Sequence, residues 1–173
     1  MTEIINDLLT LVKLDQKEVP ILFTETELNK LVIDIVKRMK PLANEKKIVL
    51  HYTFLKEAIL ADIDKTKFVL AISNLVENAI KYTAEGGSVT ITIDSDHQNA
   101  FLSVADTGIG IAEDEINKIF ERFYRVDKTR NRETGGTGLG LSITHSTILM
   151  HNGSIKVTSK EQEGTTFLVR IPL

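Results

Sequence analysis

A chain of 173 residues with 42% apolar side chains is long enough for one sizeable core and fits a single main folding unit. Its net charge of -3 gives no global reason to expect nucleic acid or an anionic membrane as partner, and the lack of cysteine excludes disulfides and thiolate metal sites and fits a reducing compartment. No apolar run approaches the ~20 residues of a membrane span, and the opening MTEIIND lacks the regions of a signal peptide, so the chain reads as soluble and cytoplasmic.

In chain order, IINDLLTLVKL at 4–14 carries apolar residues at helical spacing, with more apolar surface than an isolated helix end needs. It reads as the end of a helix that packs on something else. Val19 and Pro20 break it, and the stretch to Phe23 reads as a linker. Thr24 to Glu27 forms a capping-box pattern, and Leu28, Leu31, Val32, Ile35, Val36 and Met39 follow as the apolar stripe of a helix that Pro41 ends or kinks. KIVLHYTF then alternates like a strand, and AILAD offers a second short one.

The helix DKTKFVLAISNLVENAIKYT turns Phe68, Ile72, Leu75, Val76, Ala79 and Ile80 to the core. Asn74, Asn78 and Lys81 share another stripe, with Lys67 above them and Glu77 at its edge. Asparagine is a poor helix former, so two at i and i+4 fit an ordinary solvated face less well than Lys or Glu would. EGGS leads into SVTITID and NAFLSVAD, a hairpin whose second strand runs into Asp106, Gly108 and Gly110 of DTGIGI. RFYRVDKTRNR follows with five basic residues, Arg122, Arg125, Lys128, Arg130 and Arg132, against one Asp127. After GGTGLGLS, Leu141 to Met150 reads as a helix stopped by Asn152 and Gly153, and SIKVTS and TTFLVRI close the chain as a strand pair. The runs suit an α+β fold, with about three long helices beyond the N-terminal one layered on one face of a mixed sheet of five or six strands.

GGTGLGLS is the puzzle. Gly135 and Gly140 have the spacing of a Walker A loop, but Leu141 stands where that loop needs lysine and no buried strand precedes it. The dinucleotide fingerprint fails as well, because its third glycine would fall on Leu141.

The order of the four elements is more specific than any of them. An asparagine-bearing helix, a strand ending in DTGIG, a basic segment and a glycine loop opening a helix together resemble the ATP-binding catalytic domain of bacterial sensor histidine kinases, in the superfamily that also holds gyrase-type and mismatch-repair ATPases. NLVENAIKYT matches the N box, DTGIGI the first glycine box, IFERFYRVD the phenylalanine box and GTGLGLS the second glycine box. The resemblance implies a Bergerat-type two-layer sandwich, helices on one face of a mixed, mostly antiparallel sheet, over residues 19–173. Residues 1–18 resemble the end of the second helix of a dimerisation domain.

The resemblance also implies roles. Asn78 would hold Mg²⁺ through its side-chain oxygen, with phosphates and water completing the shell, which suits a hard ion that keeps much of its water. Asn74 and Lys81 would meet phosphate or metal-bound water, and Arg122 or Arg125 the γ-phosphate. Asp106 would accept the adenine amine, with Gly108 and Gly110 beside the base and Thr165 supporting the aspartate through water. Tyr82 either covers the base or belongs to the core. Gly136, Thr137, Gly138, Leu139 and Gly140 would turn backbone amides to the phosphates, helped by the positive end of the following helix, whose Leu141 reads as a core anchor. Residues about 112–138 would form an ATP lid, anchored by Phe120 and Phe123.

Relatives that hydrolyse ATP carry glutamate at the position of Asn74, a departure that argues for transfer to a protein nucleophile over hydrolysis. None of His51, His97, His145 and His151 is followed by an acidic residue, so the acceptor histidine is expected on a separate dimerisation domain. A response-regulator receiver domain and a homodimeric, membrane-anchored parent follow from the same resemblance, with no nucleic acid and no membrane contact by this portion. The alternatives are a non-catalytic ATP-binding interaction module and an anti-sigma-type serine kinase.

Overall fold

A computed structural model describes residues 9, 20–126 and 136–173. The helix read at 4–14, most of the assignment made for 1–18, and Asp127, Lys128, Arg130, Arg132 and Gly135 lie outside the described residues.

Strand β1 (Thr24–Glu27) leads directly into helix α1 (Leu28–Glu45), followed by β2 (Val49–Phe54) and β3 (Leu60–Ile63). Helix α2 (Lys65–Tyr82), the hairpin β4 (Ser88–Ser95) and β5 (Asn99–Asp106), helix α3 (Gly140–Met150) and strands β6 (Ser154–Lys160) and β7 (Gly164–Pro172) complete the order. Five strands form one sheet in the order β2-β4-β5-β7-β6, and β1 pairs with β3 apart from it. Among the described residues only the β2–β4 pair is parallel, because α2 carries the chain across between them; the other paired strands are antiparallel.

Alternation places the core. Val89, Ile91 and Ile93 of β4, Ala100, Leu102 and Val104 of β5, and Phe167, Val169 and Ile171 of β7 are buried, while their neighbours on the other face are partly open. Against the buried face lie Leu31, Val32 and Ile35 of α1 and Phe68, Ile72, Leu75, Val76 and Ile80 of α2, in one continuous apolar cluster. The chain is thus the expected two-layer α+β arrangement, with helices on one side of a mixed, mostly antiparallel sheet. Among the described residues no helix is long and apolar enough to cross a membrane.

Two local readings are corrected and a third is narrowed. Thr24 to Glu27 is not a capping box: it is β1, and Glu27 at the helix start makes no side-chain cap bond. Thr24 instead gives its hydroxyl to the Ile63 carbonyl across the β1–β3 pair, a tertiary use that outcompetes the local one. Of the two outcomes open for Pro41, it does not end the helix; α1 continues to Glu45. The carbonyl that Pro41 leaves without a partner is that of Lys37, on the exposed side where water can serve it. Phe123 is not a buried anchor: it is 59% exposed at a φ of 62°, whereas Phe120 does pack inward, against Phe167 and His145.

Candidate functional site

Helix α2 fixes the site from below. Asp64 caps its first turn by accepting the Lys67 amide at 3.1 Å, and the buried stripe from Phe68 to Ile80 sets its rotation. That rotation leaves Asn74, Asn78 and Lys81 half-buried along a cavity of about 260 Å³, with Glu77 and Tyr82 in the same wall. Asn74 is held in place: its Nδ2 donates to the Gly140 carbonyl at 3.2 Å, tying α2 to the start of α3. Thr144, fully buried, shares its one hydroxyl proton between the same carbonyl at 2.9 Å and that of Ala71 at 3.2 Å, so the two helices are joined where the cavity begins.

Asp106 stands at the end of β5, on the opposite wall. Its Oδ1 accepts the Gly108 amide at 2.8 Å and the Thr165 amide at 3.3 Å, the second because Asp106 and Thr165 face each other in the β5–β7 register. Burial pushes the carboxyl above its ordinary pKa, and the two amides pull against that rise without cancelling it. Thr165 supports Asp106 directly through its backbone amide, and the Thr165 hydroxyl pairs with Ser159 at 2.8 Å. Ser159 also accepts the Ile111 amide at 2.8 Å, which fastens the root of the segment after DTGIG to β6. Gly110 there has a φ of 68°, and a side chain on it would collide with the Lys160 carbonyl.

The glycine loop closes the third side. Gly136, Thr137, Gly138 and Gly140 line the cavity. Gly138, at a φ of 71°, accepts the Phe123 amide at 2.9 Å, and a Cβ on it would press on the Phe123 backbone. Helix α3 starts at Gly140, which with Leu141 lines the cavity, and no side-chain cap bond among the described residues claims its first amides.

One expectation about this loop changes. Leu139 is 0% exposed, packs with Ile143 and gives its amide to the Thr137 hydroxyl at 3.1 Å. Its amide is thereby spent within the loop, whereas Leu141 packs against the main core, as expected from the sequence, and also lines the cavity. Gly108 also stands behind the cavity wall, where its amide serves Asp106. Of the two arginines, Arg125 lines the cavity and Arg122 does not. Tyr82 is 42% exposed at the rim, outside the core, with Lys81 Nζ 5.4 Å from its ring centroid.

Residues that sequence reasoning missed are mainly apolar. Ile109, Ile111, Ile119, Tyr124, Val126 and Phe167 join the wall, giving a flat aromatic or heterocyclic ligand a hydrophobic bed. Phe167 had a usable signal, since it lies two residues beyond Thr165 on the same strand face. Glu77, set aside at the edge of the polar stripe, lines the cavity as an exposed carboxylate.

The donor set fits a magnesium ion of a particular kind. No group of three or more His, Cys, Asp or Glu side chains among the described residues could cage a metal. The Asn78 amide oxygen on the cavity wall suits a hard ion that draws its remaining ligands from phosphate oxygens and water.

Comparison with known proteins agrees with this geometry. Residues 63–173 match the family described as histidine kinase-, DNA gyrase B- and HSP90-like ATPases. The sensor histidine kinase RppB of Synechocystis is 40% identical over 173 residues, covering 100% of this chain and 38% of that protein. The sensor histidine kinase WalK of Bacillus subtilis is 37% identical over 180 residues, covering 99% and 28%. The chain thus spans less than half the length of these curated relatives. Among solved structures, full-length ShkA in complex with AMPPNP superposes with a TM-score of 0.87 at 27% identity, covering 98% of this chain and 35% of that one. The histidine kinase ThkA in complex with the response regulator TrrA gives 0.80 at 27% identity, covering 99% and 46%.

Proposed function

Because this chain belongs to the family of histidine kinase-, DNA gyrase B- and HSP90-like ATPases, we propose that it binds Mg-ATP in the cavity between α2 and α3 and donates the γ-phosphoryl group to a histidine on a dimerisation domain. The observation that carries the reading is the pairing, in one cavity, of a half-buried carboxylate, Asp106, with the polar stripe Asn74, Asn78 and Lys81. In its ionised form Asp106 only accepts, so it pairs with the adenine amine and disfavours guanine, which presents an oxygen there. The apolar wall of Ile109, Ile111 and Phe167 receives the base, and Tyr82 flanks it at the rim.

At the other end the α3 amides and Gly136, Thr137, Gly138 and Gly140 face the phosphates. Asn78 would hold Mg²⁺, which when bound neutralises phosphate charge and orients the terminal group. Lys81 and Arg125 add positive charge from the protein. The acceptor imidazole nitrogen attacks the γ-phosphorus in line, the bond to the bridging oxygen breaks, and ADP leaves. Positioning and charge neutralisation supply most of the acceleration.

Transfer is favoured over hydrolysis by Asn74. Its amide is not basic and its Nδ2 is committed to the Gly140 carbonyl, so it does not activate water as a glutamate at that position does. The complex of ThkA with the response regulator TrrA supports a response regulator as partner, whose receiver-domain aspartate would be the next acceptor. A homodimeric, membrane-anchored parent with this portion in the cytoplasm completes the proposal.

The test is a single turnover with γ-labelled ATP and a separately prepared dimerisation domain bearing the histidine. Acid-labile label on that domain is the expected result. ATP binding without a labelled acceptor, or acid-stable label, overturns the kinase reading.

A further inference from the structure

Beyond the cavity, the turn after α1 grips the end of the helix that carries the polar stripe. Lys46 caps α1, Lys47 follows at a φ of 54°, and the amides of Lys47 and Ile48 return to the carbonyls of Asn44 at 2.9 Å and Ala43 at 2.8 Å. This closed turn fixes where the Lys46 side chain starts. It reaches across to the last turn of α2, where Nζ lies 2.9 Å from the Ile80 carbonyl, 2.7 Å from that of Lys81 and 3.1 Å from that of Thr83.

An ammonium has three donors, and all three are spent on one helix end. Those carbonyls have no partner within a helix, and a cation there is favoured by the helix dipole. The carbonyl skipped in this series, Tyr82 O, accepts the Ile109 amide at 3.2 Å from the loop that follows Asp106. Four successive carbonyls, 80 to 83, are thereby divided between Lys46 and the base-side loop. The two side chains on this turn, Lys81 and Tyr82, line the cavity, whereas Lys46 does not.

We propose that Lys46 is a positioning residue for nucleotide binding: from outside the cavity its ammonium holds the last turn of α2 so that Lys81 and Tyr82 face the nucleotide and the Asp106–Ile109 loop has a fixed seat. The proposal rests on the nucleotide reading of the cavity. Without the ammonium, three carbonyls lose their donor together, the turn frays, and the seat of Ile109 on Tyr82 loosens. The middle of α2, buried against the sheet and locked to α3 through Thr144, has no reason to change.

Lys46→Met keeps the aliphatic stem and removes the donors. Calorimetric titration with Mg-ATP is expected to give a Kd about tenfold weaker than the parent's, the scale of lost charge-assisted hydrogen bonds. Hydrogen exchange of the unliganded protein is expected to accelerate at Thr83 and Ile109 while Leu75 and Val76 keep their protection, and Lys46→Arg should recover part of both effects. Unchanged affinity, or acceleration spread evenly along α2, overturns the proposal, the second by making Lys46 a general stability residue. Should the parent itself fail to bind ATP, the nucleotide reading falls, and the exchange at Ile109 still decides whether Lys46 holds the loop.

Discussion

Asp106 joins two opposing demands on one side chain. Under the proposed function the base requires an ionised acceptor, yet burial favours the neutral acid, and the amides of Gly108 and Thr165 only partly restore the charged form. A carboxyl whose pKa is raised by folding contributes stability below its unfolded pKa and loses that contribution as pH rises through the folded value. At neutral pH the charge is therefore a cost to the fold that function imposes. Asparagine in its place keeps an Oδ1 able to accept both amides and removes the charge, but turns a donor toward the adenine amine. Asp106→Asn is expected to melt at a higher temperature than the parent at pH 7, with the advantage shrinking as pH falls through the raised folded pKa and vanishing below the ordinary carboxylate pKa, where the parent's carboxyl is protonated in both states. ATP affinity should drop by about ten- to a hundredfold. Equal melting temperatures at pH 7 and in acid would remove the burial argument, and an unchanged Kd would remove Asp106 from the base pocket.

At the scale of elements, α2 is held at both ends by side chains distant in sequence, Lys46 at its C-terminus and a cluster around Asp64 at its N-terminus. Asp64 accepts the amides of Lys67 and Leu22 and the Lys67 ammonium, while its own amide donates to His151 Nε2 at 2.9 Å. His151, buried between Phe23 and Phe68, completes its pairing through Nδ1 and the Thr147 carbonyl at 2.7 Å. The segment before β1 and the ends of α2 and α3 meet there. Burial alone would raise the Asp64 pKa; the Lys67 hydrogen bond, the two amides and the Lys67 charge outweigh it and leave the pKa below the ordinary value. Its stabilisation is thus present above the unfolded pKa and lost as pH falls through the folded one. Asp64→Ala is expected to cost about 1–2 kcal/mol in urea unfolding at pH 7, the scale of a lost cap, with the gap to the parent narrowing in acid. A gap that stays constant into acid would exclude the charged cap as its cause. The same helix shows what was legible in the sequence. The period of its apolar residues, the hairpin of β4 and β5 and the stop at Asn152 and Gly153 are local and strong, and the structure has each where the sequence puts it. Thr24 was misread and Pro41 left open because the outcome depended on nonlocal facts: which strand Thr24 meets, and which side of α1 the orphaned Lys37 carbonyl faces.

The whole molecule makes one cavity from segments that are far apart in the chain. The polar residues in its wall announced themselves as short ordered boxes, because asparagines in a helix and glycines beside a strand end conflict with their local propensities. Its apolar wall stayed hidden, since Ile111, Ile119 and Phe167 look like any core residue until the strands and the segment after Asp106 converge. A ligand in this cavity would touch α2, the end of β5, β7 and the start of α3 together, so binding should stabilise the entire fold and not one loop. At a free Mg-ATP concentration of 100 times Kd the gain is about 2.7 kcal/mol, which for a domain of this size raises the melting temperature by roughly 5–11 °C. Asn78→Ala removes the one side-chain oxygen proposed for the metal while leaving the base pocket intact. The variant is expected to lose the increment that Mg²⁺ adds to the ATP-induced shift and to keep the smaller shift given by ATP with chelator. A Mg²⁺-dependent increment that survives in Asn78→Ala would place the metal on other residues, and the absence of any ATP-induced shift in the parent would sink the nucleotide assignment itself.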